Sequence, residues 1–232
     1  GQYKDYLTKL YTVLGYKNPE VAAQKVVDFE KTAAQTLIPN EKIRDSNLQY
    51  NPKTLSELKS LVKNVDLPSY LKNAGVNTDR VIIGELAYYK NLDKFLNAKN
   101  LPFIKDFLKV KLLNGSASVL DQKLDDLQFD FYGRTLSGQK EQRAMNKRAL
   151  STINGVLGEA FGKLYVDKYF SAEAKAEMVT LIDYLKKSYV QHISNLSWMS
   201  DETKTKALDK LSKFTVKVGY PDEWKDYSKL QV

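Results

Sequence analysis

The side chains best suited to chemistry in this sequence are a single histidine and a few adjacent carboxylates. His192 is the one histidine among 232 residues, and there is no cysteine, whereas a catalytic zinc ion usually takes three protein ligands from histidine, glutamate or aspartate. Because His192 lies next to the apolar stripe of a helix, a packed or surface position is its simplest interpretation. The sequence therefore argues against a zinc site formed by this chain alone.

Two pairs of neighbouring carboxylates, Asp125-Asp126 and Asp201-Glu202, could in principle serve as acid and base. Neighbours on a helix point about 100° apart, so the members of each pair diverge. Solvated helix faces or charges at a helix start are the simpler interpretation. We therefore assign no catalytic residue, no metal ligand, no substrate-binding residue and no cofactor to this chain.

Three glycines, Gly155, Gly158 and Gly162, recur about one helical turn apart on the same face. Each costs a helix interior roughly 1 kcal/mol relative to alanine, which favours close packing of another backbone against that face. Glu159 and Lys163 between them argue against a membrane dimerisation motif. The glycines also lie inside a helix rather than between a strand and a helix, which argues against a phosphate-binding loop.

Large aromatic side chains surround the glycine-marked helix in sequence. Trp198 and Trp224, together with Tyr165 and Tyr220, could in principle form a ligand cage. Such residues more commonly supply large apolar contacts with a polar edge. We interpret them as core or interdomain anchors.

The composition favours a soluble helical protein with no nucleic-acid partner. The formal net charge is +8, but most lysines alternate with aspartate and glutamate, as on solvated helix faces. The basic run at 140–148 lacks the interleaved aromatics on which bases stack. No window approaches the ~20 uninterrupted apolar residues of a membrane span, and the absence of cysteine excludes disulfides. The first residues carry no apolar signal core, and we expect the chain to start and end within a longer protein.

Hydrophobic periodicity predicts an all-α fold, a multi-helix bundle of about eight or nine helices with at most one or two very short strands. Thr54 and Glu57 form a possible capping box, and Ser171 and Ser200 are predicted N-caps. Residues 40–52 are predicted to be a loop, 81–83 a buried strand or extended linker, and 216–220 a short strand ending at Pro221. The predicted helices span 3–14, 19–38, 55–63, 68–74, 85–98, 103–131, 139–170, 171–198 and 201–214.

The helix at 171–198 is predicted to bury one stripe of side chains spaced three and four residues apart. The stripe consists of Ala174, Met178, Leu181, Leu185, Tyr189, Ile193 and Leu196.

Three stretches carry a family resemblance: L-G-E-A-F-G-K-L-Y-V from Leu157, S-W-M-S-D-E-T-K from Ser197, and V-G-Y-P-D-E-W from Val218. With weaker similarity upstream at 51–58 and 132–138, the sequence resembles the neprilysin and endothelin-converting-enzyme family of zinc metalloendopeptidases, in the bacterial branch that includes PepO. The resemblance spans nearly the whole chain. The matching residues are Gly158, Gly162, Leu164, Tyr165, Val166, Tyr169, Phe170, Trp198, Met199, Thr203, Lys204, Ala207, Gly219, Tyr220, Pro221, Asp222, Trp224 and Tyr227.

The resemblance implies that residues 1–232 are the non-catalytic helical cap of such an enzyme, with 215–232 leading toward the catalytic domain. In that family an H-E-x-x-H helix and a later glutamate hold the zinc, and no H-E-x-x-H occurs in this sequence. Zinc is thus implied for the full-length enzyme only. The implied partners are the protein's own catalytic domain and oligopeptide substrates, and the implied location is periplasmic or at the cell surface. Residues expected to be structural or interdomain are Gly158, Gly162, Tyr165, Trp198, Tyr220, Pro221 and Trp224.

The alternative is a stand-alone helical module that binds peptides or proteins without enzymatic activity. The two hypotheses differ in the coding sequence beyond Val232 and in the surface around Trp224. A large exposed apolar patch there would favour the enzyme fragment.

Overall fold

The chain is nearly all helical, as the hydrophobic pattern predicts. The computed structural model describes residues 1–231, which contain eleven α-helices and two four-residue strands. The chain divides into two compact units, the first spanning Gly1–Gln142 and the second beginning at Arg143. None of the described helices combines the length and the apolar composition needed to cross a bilayer.

The first unit contains eight helices, a small sheet, two 3-10 turns (Asn40–Lys42 and Ala117–Val119) and a π-helix (Phe129–Leu136). The strands β1 (Asn51–Thr54) and β2 (Arg80–Ile83) pair antiparallel, with Asn51 opposite Ile83. The helices are α1 (Gln2–Val13), α2 (Pro19–Ala34), α3 (Ser46–Gln49), α4 (Leu55–Leu61), α5 (Leu67–Asn73), α6 (Leu86–Phe95), α7 (Leu101–Ser116) and α8 (Gln122–Gln128).

The main core of the first unit lies where α1 packs against α2 and α7. Leu10, Val26 and Val110, one from each helix, are fully buried. Phe29 on α2 extends this packing, because its ring lies 5.1 Å from that of Phe103 and 5.6 Å from that of Phe95. Burial of such side chains contributes roughly 1.5–3 kcal/mol each, so this helical hairpin and α7 stabilise the unit.

The π-helix brings two consecutive aromatic side chains onto α1. The ring of Phe131 stacks on that of Tyr6 at 4.7 Å, and the ring of Tyr132 meets the same Tyr6 edge-on at 5.7 Å. Gly133 is buried, and a Cβ there would overlap the ring of Phe129. The Tyr6 hydroxyl donates to Asn114 Oδ1 at 2.5 Å, and burial raises the Tyr6 pKa above its usual range.

The prediction of one continuous helix over 103–131 was wrong. Helix α7 ends at Ser116, a 3-10 turn follows, and Leu120 leaves helical geometry at φ −94° and ψ −92°. The Asp121 carboxylate then accepts a hydrogen bond from the Leu124 N–H and caps α8. Because aspartate prefers an N-cap to a helix interior, this side chain favours a new helix over a continued one.

The predicted loop at 40–52 also contains more structure than expected. It holds α3, capped by the Asp45 side chain, and the first residues of β1. The expected strand at 81–83 is present as β2, but it is buried on one side only, since Ile83 is 4% exposed and Ile82 is 62% exposed. The predicted capping box is confirmed, with the Thr54 hydroxyl and the Glu57 carboxylate each accepting from the other residue's N–H.

The second unit contains α9 (Met145–Tyr169), α10 (Ala172–Asn195) and α11 (Asp201–Ser212), and α10 packs against α11. The predicted serine N-caps are confirmed, since Ser171 accepts from the Ala174 N–H and Ser200 from the Thr203 N–H. Helix α9 begins six residues later than predicted, and Leu157 interrupts it at φ −122° and ψ 32°.

The predicted buried stripe on α10 is not buried in this structure. Leu181 and Leu185 are each 50% exposed and Tyr189 is 59% exposed, and α9, α10 and α11 contain no buried residue. The expected strand at 216–220 was wrong as well. Partly buried and exposed side chains do alternate along 216–220. Within residues 1–231, however, no strand lies beside this segment, and an isolated strand is not stable in water.

Candidate functional site

Three aromatic rings, of Phe170, Tyr220 and Trp224, form a cluster at the end of the second unit. Phe170 occupies the C-cap position of α9. Its ring lies nearly perpendicular to that of Tyr220, with the two centroids 6.1 Å apart. The rings of Tyr220 and Trp224 lie parallel with centroids 5.8 Å apart. Gly219, at φ +67°, allows this approach, because a Cβ there would lie 2.7 Å from Phe170 Cε1. This C-terminal aromatic cluster folds the chain after α11 back onto α9 and α10.

Lys175, near the start of α10, holds the cluster from one side. Its Nζ donates to the Tyr220 carbonyl oxygen at 2.9 Å and to Asp222 Oδ1 at 2.6 Å, and it lies 4.3 Å from the centroid of the Tyr220 ring. The Lys175 side chain is 19% exposed and that of Asp222 is 94% exposed. The hydrogen bond from the ammonium, together with its charge, lowers the pKa of Asp222.

Helix α9 holds the cluster from the other side. Glu159 Oε2 accepts a hydrogen bond from the Lys225 N–H at 2.8 Å. A Cβ placed on Gly162 would lie 3.9 Å from the Trp224 ring, which is ordinary van der Waals contact. The segment 219–225 is therefore held on both helices by polar contacts and by ring packing.

A cleft of about 730 Å³ lies beside the cluster, lined by Glu159, Lys175, Val179 and residues 215–222. Its two charged helix side chains already bind the backbone, since Glu159 accepts from Lys225 and Lys175 donates to Tyr220. Within residues 1–231, no group of three or more histidine, cysteine, aspartate or glutamate side chains could hold a metal ion. These contacts fix the segment 219–225 on α9 and α10.

The residues predicted from sequence to be structural or interdomain divide into two sets. Gly162, Tyr220 and Trp224 meet in the aromatic cluster, and Pro221 lies within the same segment.

The other members do not join the cluster. Tyr165 is 59% exposed and packs on Tyr169 at 5.1 Å, while Trp198 is 75% exposed beyond the end of α10. Gly158 is half-buried, and neither it nor Gly155 has an atom within 4 Å of a built Cβ. The backbone neighbour expected against this glycine face is absent from the described residues. His192 is exposed in the last turn of α10.

Sequence reasoning missed Lys175, Glu159 and Phe170 as members of this site. Lys175 and Asp222 are 47 residues apart, and Glu159 and Lys225 are 66 apart. No local periodicity reports pairings at such separations. One sequence feature did point to this site, namely the proline-containing stretch after Gly219. Its aromatic side chains indicate that this irregular segment packs against another part of the protein.

The second unit also presents a broad apolar surface, on the faces of α9 and α10. The exposed aliphatic and aromatic side chains of these two helices are between 38% and 70% exposed. Exposed apolar side chains in such number are typical of interaction surfaces. The largest exposures are those of Val156 at 70%, Leu164 at 67%, Tyr184 at 66%, Met145 at 63%, Tyr169 at 63%, Tyr165 at 59% and Tyr189 at 59%.

Comparison with known proteins shows which family the chain matches and how much of each relative's length it covers. A family model described as Peptidase family M13 matches residues 1–221. The chain is 32% identical over 221 residues to the neutral endopeptidase of Lactobacillus helveticus, covering 94% of this chain and 34% of that protein. It is 25% identical over 228 residues to human endothelin-converting enzyme 1, covering 95% of this chain and 30% of that enzyme.

Solved structures agree with the sequence comparison. The zinc metalloprotease ZMP1 of Mycobacterium tuberculosis, solved in complex with an inhibitor, superposes with a TM-score of 0.83 at 32% identity, covering 98% of this chain and 35% of that one. The chain thus spans about a third of the length of the relatives that it matches.

Proposed function

This chain belongs to peptidase family M13, and we propose that it forms the non-catalytic helical cap of a zinc metalloendopeptidase that hydrolyses oligopeptides. The chain would act with a catalytic domain of the same protein, outside residues 1–232. In this arrangement the cap controls access to the active-site chamber by size, so that short peptides enter and folded proteins do not.

The observation that carries the proposal is the uncovered apolar surface of the second unit. Helices α9, α10 and α11 contain no buried residue, and the stripe through Leu181 and Leu185 is half exposed. A surface this apolar is expected to be covered in the working protein. Relatives about three times as long provide a natural cover, namely the rest of the same chain.

Zinc is proposed for the whole enzyme and not for this chain. The zinc site is proposed to lie in the catalytic domain, as the family relationship implies. There the metal would supply Lewis-acid activation of the water used in peptide hydrolysis. The residues of this chain would contribute enclosure and the fixed geometry of the connection, through Lys175, Gly219 and Tyr220.

The segment after α11 is proposed to lead toward the catalytic domain. Its hydrogen bonds to Glu159 and Lys175 fix its starting direction on α9 and α10. An extracytoplasmic location, as in a periplasmic or cell-surface enzyme, is proposed from the family relationship.

The first test is to read the coding sequence beyond Val232 and to assay the full product. We expect an H-E-x-x-H motif downstream, followed by a glutamate on a later helix. The full protein should cleave short peptides, and the 232-residue chain should not. A stop codon directly after Val232 would contradict the proposal and favour a stand-alone binding module. Stoichiometric zinc with peptidase activity in the 232-residue chain would contradict it equally.

Control of access is tested separately, with the full protein and a series of peptides of increasing length. The double substitution Leu181→Asp and Leu185→Asp places charges on the apolar surface of α10. It should weaken the enclosure, so that longer substrates are cleaved while short-peptide cleavage persists. The double substitution Thr180→Asp and Gln191→Asp, at two exposed polar positions of the same helix, is the matched control and should leave the length dependence unchanged. A length dependence unaffected by the double substitution would argue against gating through this surface.

A further inference from the structure

A second cleft, of about 500 Å³, lies in the first unit between α2 and α7 and has a different chemistry from the cleft beside the aromatic cluster. Its floor is formed by the rings of Tyr11, Tyr16 and Phe103. Three lysines, Lys17, Lys25 and Lys99, stand around its rim. We refer to it as the lysine cleft. Its volume falls in the range of roughly 300–1,000 Å³ that is typical of ligand sites.

The aromatic side chains at the base of the lysine cleft are held in place by hydrogen bonds and ring contacts. Tyr11 is 1% exposed, and its hydroxyl donates to the Asp106 carbonyl oxygen at 3.2 Å. The ring of Tyr16 packs edge-on against that of Tyr11 at 4.9 Å. Val21 contributes a half-exposed aliphatic side chain to the same wall. The floor therefore offers a preformed surface for an apolar group.

The three lysines of the rim form no ion pair with the described part of the chain. Among the described residues, no carboxylate lies within 4.0 Å of the ammonium groups of Lys17, Lys25 and Lys99. The one carboxylate in the lining is that of Asp106. Its Oδ1 accepts a hydrogen bond from the Tyr16 hydroxyl and lies 3.5 Å from Lys109 Nζ. The cleft thus combines an excess of cations with an apolar base.

We propose that the lysine cleft binds a short acidic peptide segment. Carboxylates of the peptide would pair with the three ammonium groups, and an apolar side chain would rest on Tyr16 and Phe103. A phosphate polymer would satisfy the charges but would leave the apolar floor unused. Charge complementarity and the aromatic floor together favour the peptide.

The experiment measures binding to the 232-residue chain by calorimetry, so its outcome does not depend on catalysis. The probe is the capped peptide acetyl-Glu-Glu-Phe-Glu-Glu-amide. Two comparison peptides replace glutamate by glutamine or phenylalanine by glycine. We expect each replacement to weaken binding at least tenfold. The first removes the charges that pair with the lysines, and the second removes the ring that packs on the floor. Raising the salt concentration should weaken the acidic peptide further, since exposed charges are screened.

The variant Lys17→Gln, Lys25→Gln and Lys99→Gln removes the rim charges and should lose at least tenfold in affinity. The matched control Lys42→Gln, Lys72→Gln and Lys90→Gln removes three exposed lysines outside the cleft and should bind within twofold of the parent. Val21→Glu gives an independent check. It places a carboxylate on the wall that should repel the acidic peptide and weaken its binding, with little effect on folding. Circular dichroism confirms that each variant is folded.

Two results would overturn the inference. One is equal weakening by the cleft variant and the control, which would indicate general attraction to a basic protein. The other is tight binding of inorganic tripolyphosphate at the same lysines with no benefit from the phenylalanine, which would indicate a phosphate site.

Discussion

The ring of Phe170 occupies the space that a side chain at residue 219 would need. A Cβ built on Gly219 lies 2.7 Å from Phe170 Cε1, and the backbone there has φ +67°. Two independent requirements, the left-handed backbone and the close ring, therefore make glycine necessary at this position. The pairing joins the end of α9 to the segment that follows α11.

Gly219→Ala should destabilise the second unit by about 2 kcal/mol or more, since a non-glycine residue at positive φ costs roughly 1–2 kcal/mol and overpacking adds to it. Both tryptophans, Trp198 and Trp224, lie in that unit, so urea unfolding followed by tryptophan fluorescence reports the loss.

The control for the ring contact is Gly138→Ala, which has the same φ of +67° but open space around a built Cβ. Measured by circular dichroism, it should cost only the backbone term of about 1 kcal/mol. Equal losses at Gly138 and Gly219 would show that the Phe170 ring moves aside freely. Phe170→Leu should recover part of the loss in the Gly219→Ala background.

Gly155→Ala should stabilise the 232-residue chain by about 0.5–1 kcal/mol, because the residue is helical and a Cβ meets nothing within 4 Å. Fluorescence-detected urea unfolding measures the change. If another backbone packs on this face in the full protein, as we propose from the glycine spacing, the same substitution should destabilise the full protein. Destabilisation already in the short chain would contradict the open face.

Lys175→Met should destabilise the second unit by about 1–2 kcal/mol. It keeps the apolar stem of the side chain but removes the donor to the Tyr220 carbonyl oxygen and the cation above the Tyr220 ring. The measurement is again fluorescence-detected urea unfolding. Lys210→Met, on the exposed face of α11, is the control and should stay within about 0.5 kcal/mol of the parent. No difference between the two variants would rule out a structural role for Lys175.

The pairing of Lys175 with Asp222 also predicts a pH dependence. Because the ammonium lowers the pKa of Asp222 in the folded chain, the pair stabilises the fold above the ordinary aspartate pKa of about 3.9. That stabilisation is lost as the pH falls through the lowered value. Carboxyl-carbon NMR titration should show the Asp222 pKa rising toward its ordinary value in Lys175→Met.

Asp226 is the internal reference in the same titration. Its pKa is lowered by the backbone hydrogen bond from Ser228, and then by that residue's hydroxyl. It should therefore remain lowered when Lys175 is replaced. An Asp222 pKa that is identical in both proteins would show that the ion pair does not persist in solution.

Thr54→Ala should cost the first unit about 1 kcal/mol, because the Glu57 N–H loses the hydroxyl that caps it at the start of α4. Thermal unfolding followed by circular dichroism measures this loss. Ser56→Ala, exposed in the first turn of the same helix, is the control and should be close to neutral. Equal effects at the two positions would contradict a specific capping role for Thr54.

The sequence predicted what local chemistry determines. Caps at Ser171, Ser200 and Thr54 depend on residues three positions apart, and the structure confirms all three. The break after Ser116 was missed because the apolar spacing continues across it, while the deciding interaction is a single aspartate side chain at Asp121.

The candidate site was predicted only in part, for a related reason. Aromatic residues near Trp224 could be selected by type, but the partner of Tyr220 is a lysine 45 residues earlier in the chain. The exposed stripe on α10 is a different case. The periodicity identified Leu181 and Leu185 as a face to be covered, but a sequence pattern does not say whether the cover comes from the same 232 residues.

The π-helix at Phe129–Leu136 restricts how the length of this chain can vary. In an ordinary α-helix, consecutive side chains point about 100° apart, yet here Phe131 and Tyr132 both reach Tyr6. A wide turn of this kind corresponds to an extra residue inserted into an α-helix. Deleting one residue would restore regular helical turns and take one ring away from Tyr6. Insertions and deletions should therefore be tolerated in the exposed segment at 40–48 far better than in this helical segment.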